Sequence, residues 1–172
     1  RIMRALGAKI IAINRRGVTD EPVDFIGKVT DLDYLLEASD ALLISAPFTL
    51  ETEGLFGAAQ LAKMKPDATL LNLARGELVD ESALYAHLVA NPQYTACIDA
   101  WWIEPARHGE FRVKHPFLEL PNVIGSPHNS ASVSREGSPP HRLAGENCRR
   151  AALGEIPLHL VQRELNPGLR SG

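Results

Sequence analysis

The sequence predicts an α/β protein built on a doubly wound parallel sheet with helices on both faces. Two observations predict it. Short apolar runs alternate with helical stretches along the chain, the signature of strand–helix–strand crossovers. Within that alternation, Ala41-Leu42-Leu43-Ile44-Ser45-Ala46 is a nearly continuous apolar run stopped by Pro47, the pattern of a strand covered on both faces.

The first run, Lys9-Ile10-Ile11-Ala12-Ile13, is rich in β-branched residues and ends at the turn Asn14-Arg15-Arg16-Gly17, so it reads as a strand. Asp31 to Ala38 reads as a short helix, with Asp31 as its cap and Leu32, Leu35 and Leu36 on one face. The strand at 41–46 follows. Gly57 to Met64 is a second short helix, ended by Lys65-Pro66-Asp67. Thr69 to Leu73 is the next strand. Asp80 caps a helix through Ala90, with Leu84 and Leu88 one turn apart, and Asn91-Pro92 stops it. Tyr94 to Ile98 and Asn122 to Gly125 are the last two strands, and a mostly helical tail runs from about His141 to Leu153. Pro139-Pro140 argues against a helix continuing through that point. Trp102 to Pro121 is the longest irregular stretch, and loops of that length are uncommon and often functional.

Composition narrows the classes. A chain of 172 residues, 45% hydrophobic and 23% charged, suffices for one soluble domain with a core. A net charge of −3 gives no electrostatic case for nucleic acid or an anionic membrane. No run of about 18 apolar residues offers a membrane span, and Arg1-Ile2-Met3-Arg4 leads into no signal core. Cys97 and Cys148 lie far apart without metal-ligand spacing, which fits a reducing, cytoplasmic setting. His108 and His115 likewise match no metal site and read as exposed loop histidines.

Three polar groups follow three successive strands. Arg75-Gly76 follows the strand ending at Leu73, Asp99 the one ending at Ile98, and Ser126-Pro127-His128 the one ending at Gly125; Glu104 lies five residues past Asp99. In a parallel sheet these loops open onto one edge, where ligands bind. An arginine, an acid and a histidine there suit a 2-oxo acid. Arginine binds a carboxylate through two parallel hydrogen bonds, histidine moves a proton to or from the substrate oxygen, and a carboxylate behind the histidine sets its tautomer. Each residue singly also reads as a turn or a cap.

Four segments carry a family pattern. They are Ala46-Pro47-Phe48-Thr49-Leu50-Glu51-Thr52, the stretch from Met64 to Asp80, Asp99-Ala100-Trp101-Trp102-Ile103-Glu104-Pro105, and Ser126-Pro127-His128-Asn129-Ser130. The chain resembles, from Arg1 to about residue 164, the cofactor-binding domain of the D-isomer-specific 2-hydroxyacid dehydrogenases, with a tail at 165–172. The resemblance implies a Rossmann-type sheet and an oxidoreductase of the glyoxylate/hydroxypyruvate reductase kind, working as a homodimer. It implies that Arg75 binds the substrate carboxylate, that His128 is the acid/base, and that Glu104 pairs with His128 and raises its proton affinity. Asp99 would hold the nicotinamide carboxamide. Ala46, Pro47, Thr52, Leu73 and Ala74 would line the cofactor.

Two departures matter. No G-x-G-x-x-G turn for a pyrophosphate occurs. The resemblance places that turn and the first strand just upstream of Arg1, and position 1 is not a methionine. The sheet is therefore expected to be incomplete at its N-terminus, with the substrate domain also outside the chain and this stretch alone inactive. Second, the acid expected at the end of the second family strand for NAD is replaced by Asn14, followed by Arg15 and Arg16. Two guanidinium groups attract a ribose 2′-phosphate, which favours NADP over NAD. Asp20 or Glu21 offers an alternative acid for NAD. Trp101-Trp102 reads either as packing against the cleft wall or as a substrate contact. The competing functions are a dinucleotide-sensing corepressor-like protein and a phosphoglycerate-type dehydrogenase.

Overall fold

The computed structural model describes residues 1–131 and 139–159 of the chain. The expected domain end near residue 164 and the tail at 165–172 lie outside the described residues. Among the described residues, the strands named below pair in parallel. β1 (Ile11–Ile13) and β2 (Phe25–Gly27) form one two-stranded sheet, and β3 (Ala41–Ile44), β4 (Thr69–Asn72), β5 (Thr95–Ile98) and β6 (Val123–Gly125) form a second sheet in that order. The helices are α1 (Ile2–Ala5), α2 (Leu32–Ala38), α3 (Ala58–Leu61), α4 (Glu81–Ala90), α5 (Pro105–His108) and α6 (Pro139–Ala152).

Three local choices differ from the sequence expectation. β2 is too short for a periodic signal; it forms because Phe25, Ile26 and Gly27 find register partners in Ile11, Ala12 and Ile13. Asp31 does not cap α2 with its side chain. Its carboxylate instead accepts the Lys28 N–H at 2.8 Å, closing the 3₁₀ turn that leads into the helix. The stretch 102–121 contains α5 and a 3₁₀ turn at Phe117–Glu119. Pro105 at the first helical position starts α5, and Gly109 at φ 77° ends it, as each residue's backbone preference allows.

The expected cap of α4 holds: Asp80 accepts the Ala83 N–H at 2.7 Å. α6 spans Pro139–Ala152 among the described residues and includes both prolines; whether a helix runs on before them lies outside the described residues.

Burial along the sheet alternates. Leu42, Ile44, Leu70, Ala96 and Ile98 are buried together with Leu32, Leu35 and Leu36 of α2, Leu61 of α3, and Leu84 and Leu88 of α4. The opposite sheet face carries the register row Leu43, Leu71, Cys97 and Ile124. Leu43 there is 56% exposed, although the apolar run at 41–46 predicts cover on both faces. Among the described residues, no helix is long and apolar enough to cross a membrane.

The two faces respond differently to truncation. Leu84→Ala leaves a cavity in the shared core and is expected to cost about 2–5 kcal/mol. Leu43→Ala is expected to change stability by no more than about 0.5 kcal/mol. Urea unfolding midpoints at constant slope measure both.

Candidate active site

Parallel strands deliver their C-terminal ends to one edge, and five loops gather there. The turn between β5 and α5, residues 99–104, is the centre of the arrangement. The Asp99 N–H donates to the Asn72 carbonyl of β4 at 3.0 Å, which sets the height at which the turn leaves the sheet. Asp99 is 2% exposed, and its carboxylate accepts four hydrogen bonds. Oδ1 receives the Ser126 hydroxyl at 2.6 Å and the Asn129 N–H at 3.1 Å. Oδ2 receives the Ser130 N–H at 3.2 Å and the Ser130 hydroxyl at 2.5 Å. Burial opposes ionisation of Asp99, but the bonds from Ser126, Ser130 and Asn129 outweigh it and hold the carboxyl below its ordinary range.

Glu104 is the second buried carboxylate of this turn, 5% exposed. Its Oε1 accepts the Trp101 N–H at 2.7 Å. His128 Nδ1 lies 2.8 Å from Oε1 and 2.9 Å from Oε2. A carboxylate only accepts, so Nδ1 carries the proton and Nε2 is the ring atom free to exchange one with a ligand. The His128 side chain is 33% exposed. Its backbone sits at φ 52°, a left-handed conformation that costs a non-glycine residue roughly 1–2 kcal/mol.

Arg75 reaches the same edge from the end of β4 and is exposed. Its guanidinium donates to the Ala74 carbonyl at 2.6 Å and makes no hydrogen bond to Glu104 or His128 among the described residues. The turn that presents it depends on Asn72, which the sequence analysis passed over. Asn72 is 2% exposed; its amide donates to the Arg75 carbonyl at 2.8 Å and accepts the Ala74 N–H at 3.1 Å. An asparagine ending an apolar strand is the signal that could have found it.

Gly76 then lies against the 99–104 turn. A Cβ there would stand 2.5 Å from the Trp101 carbonyl carbon and the Trp102 nitrogen. Glu77 and Arg107 pair at 2.7 Å, tying the same segment to α5.

Both indoles are buried and hydrogen-bonded. Trp101 donates to the Ser126 carbonyl and Trp102 to the Val79 carbonyl, each at 2.8 Å. Trp102 also stacks on Phe117. Trp101, with Phe111, Leu118 and Pro127, walls an apolar cavity of about 750 Å³ that reaches Glu104 and His128.

Neither loop histidine is idle. His108 Nδ1 accepts the Glu104 N–H at 3.0 Å. His115 is half-buried, stacked on Tyr85 and 2.9 Å from the Ser82 hydroxyl. No cluster of metal-ligating side chains occurs among the described residues.

The remaining expected residues line the β1 and β3 ends. Asn14 builds its own turn, accepting the Arg16 and Gly17 N–H groups at 2.9 and 2.7 Å and donating to the Val18 carbonyl at 2.8 Å. Thr52 closes the 46–52 loop by donating to the Pro47 carbonyl at 2.7 Å and accepting the Thr49 N–H at 2.9 Å. Arg15 pairs with Glu51 at 2.8 Å and so links these two loops. Arg16 makes no ion pair among the described residues. Leu73 is 42% exposed; Ala46 and Ala74 are half-buried and Pro47 is exposed.

The site thus holds an imidazole–carboxylate pair, an available arginine and an apolar edge. The chain as a whole is similar in sequence to known proteins. Residues 1–130 match the family model described as D-isomer specific 2-hydroxyacid dehydrogenase, NAD binding domain. The glyoxylate/hydroxypyruvate reductase B of Pectobacterium carotovorum is 37% identical over 151 residues, 88% of this chain and 46% of that protein. The chain therefore spans about half the length of that relative.

Among solved structures, a D-isomer specific 2-hydroxyacid dehydrogenase from Xanthobacter autotrophicus Py2, in complex with NADPH and MES, superposes at TM-score 0.73 with 29% identity. The match covers 91% of this chain and 62% of that one. D-lactate dehydrogenase with NAD+ from Lactobacillus jensenii superposes at 0.72 with 28% identity, over 94% of this chain and 51% of that one.

The contact at Gly76 is directly testable. Gly76→Ala forces a methyl into the Trp101–Trp102 peptide and is expected to cost about 1–3 kcal/mol. The expected result is a lowered Tm; an unchanged Tm would show that the two turns are not pressed together.

Proposed function

The chain belongs to the D-isomer specific 2-hydroxyacid dehydrogenase family, as part of its NAD binding domain, and on that premise we propose that it serves the reduction of a small 2-oxo acid, glyoxylate or hydroxypyruvate, to the hydroxy acid. The observation that carries this reading is the Glu104–His128 pair at 2.8 Å, with the Nε2 end of the ring free. In reduction, His128 Nε2 gives its proton to the substrate oxygen, and in oxidation it takes one back. Glu104, holding Nδ1–H, stabilises the imidazolium and keeps the ring facing the substrate. Arg75, exposed just past the end of β4, binds the substrate carboxylate through two parallel hydrogen bonds.

The strand-end loops fit a dinucleotide. Leu73, Ala46, Pro47 and Ala74 offer a small, apolar edge to its rings, with Asn14 and Thr52 in the loops beside them. When bound, the nicotinamide supplies or accepts the hydride. NADP is favoured over NAD. Arg15 is already neutralised by Glu51, so Arg16 is the cation best placed for a 2′-phosphate. Glu21, the alternative acid for NAD, is paired with Arg1 at 2.7 Å. The reading extends to a homodimer in a reducing, cytoplasmic setting.

Turnover by the full-length gene product, followed by reduced-cofactor absorbance with glyoxylate and hydroxypyruvate, tests the proposal. His128→Ala is expected to lower kcat about 10²- to 10⁴-fold. Cofactor binding without turnover of any small 2-oxo acid would sink the reductase reading in favour of a dinucleotide sensor.

The cofactor arm is separate. Arg16→Ala is expected to lower kcat/KM for NADPH about tenfold, the scale of one charge-assisted hydrogen bond, and to spare NADH. Glu51→Gln, which releases Arg15, is expected to raise the NADPH value. Equal loss with both cofactors in Arg16→Ala would remove the case for NADP.

A further inference from the structure

We infer that Arg107 is a positioning residue: by engaging Glu77 it holds the segment that carries Arg75 against the turn that carries Glu104. It thereby sets the carboxylate-binding arginine relative to the acid/base pair. The inference rests on the roles proposed for Arg75, Glu104 and His128.

Two connections carry it. On one side, α5 is bonded to Glu104 itself. The Arg107 and His108 N–H groups donate to the Glu104 carbonyl at 3.1 and 2.8 Å, and the Glu104 N–H donates to His108 Nδ1 at 3.0 Å. Arg107 is thus built onto the residue that orients His128. On the other side, its guanidinium donates to Glu77 at 2.7 Å, two residues past Arg75. Glu77 lies in the 3₁₀ turn Gly76–Leu78, whose first residue already abuts the Trp101–Trp102 peptide. One contact between two turns leaves a pivot; the ion pair adds a second point and fixes their orientation.

Glu77 needs this partner. Its side chain is 20% exposed, and its Oε2 is buried with no hydrogen-bond partner among the described residues. Among those residues no cation other than Arg107 pairs with it. A largely buried carboxylate stripped of its counter-charge is costly to keep in place, so without Arg107 it turns toward water and draws the 76–78 turn with it. That turn also receives the neighbouring loop, since the Glu77 and Leu78 carbonyls accept the Gly54 and Phe56 N–H groups at 2.9 and 3.0 Å.

Suppression distinguishes this role from direct substrate contact by Arg107. Arg107→Ala, Arg107→Lys, Glu77→Ala and the double variant Glu77→Ala/Arg107→Ala are compared in the full-length gene product with glyoxylate and hydroxypyruvate. Arg107→Ala strands the Glu77 carboxylate. KM for the 2-oxo acid is expected to rise about tenfold with kcat within about threefold, because a carboxylate contact is made alike in ground and transition states. Arg107→Lys keeps a charged donor for the single bond and is expected within about twofold of the parent protein. Glu77→Ala and the double variant leave no stranded charge and are expected within about threefold of it. A double variant as impaired as Arg107→Ala would overturn the inference and make Arg107 itself the carboxylate contact. A silent Arg107→Ala would overturn it as well.

Amide hydrogen exchange reads the same restraint without turnover. The Gly54 N–H, bonded to the Glu77 carbonyl, is expected to exchange about tenfold faster in Arg107→Ala, while the amides of β4 keep their parent rates. Unchanged exchange at Gly54 would overturn the inference even if the parent protein reduces 2-oxo acids. If the parent protein turns over no 2-oxo acid, the reductase reading fails by itself, and the exchange rates alone decide whether Arg107 holds the turn.

Discussion

A buried carboxylate is tolerated only when its oxygens find donors, since the desolvation cost of an ion is several kcal/mol. Asp99 and Glu104 place two such groups within one turn after β5. The structure meets that demand by drawing in the neighbouring loop: Ser126, Asn129 and Ser130 satisfy Asp99, while His128 and the Trp101 amide satisfy Glu104. The geometry of the proposed acid/base pair follows from this constraint. The imidazole is oriented by a buried acid that takes its N–H, and the loop that carries it, with His128 at φ 52°, gives its amides to another.

The same turn governs the approach from β4. Gly76 leaves room for the segment carrying Arg75 to lie against the Trp101–Trp102 peptide, and Asn72 shapes the turn that presents the arginine. The indole N–H groups reach outward from the turn to Ser126 and Val79. Three strand ends are thereby bonded into one unit, while Arg75 itself stays tethered only to its own loop. The proposed acid/base pair, held by buried partners, and a guanidinium left available on the neighbouring strand end suit a site that binds a carboxylate and transfers a proton. The β1 and β3 ends join more loosely, through the exposed Arg15–Glu51 pair, whose worth is about 0–1 kcal/mol in solvent.

Where the sequence was legible, the signal was periodic or covalent in origin. The apolar runs marked β3, β4 and β5 because an interior strand of a parallel sheet is apolar along nearly its whole length, and Leu84 with Leu88 marked α4 because 3.6 residues complete a turn. Asp80 marked its helix start. β2 was illegible because three residues hold no period, and α5 because four residues in a polar stretch hold none either. The cover expected on both faces of the 41–46 run failed at Leu43: an apolar side chain states a preference for burial, not which element will supply it. The carboxylate–histidine partnership came from family resemblance, and Asn72 was overlooked because its role lies in two local hydrogen bonds that no residue spacing announces.

The sequence by itself determined the parallel α/β class, the strand-end location of Arg75, Asp99 and His128, and the chemical types available for proton transfer and carboxylate binding. These depend on order along the chain and on side-chain chemistry. Only the tertiary structure decided that Asp99 spends its acceptors on the loop around His128, that Asn72 shapes the turn presenting Arg75, and that Gly76 must have no side chain. Those outcomes depend on hydrogen-bond satisfaction and close packing between loops distant in sequence, which arise only once the strands have set the loops side by side.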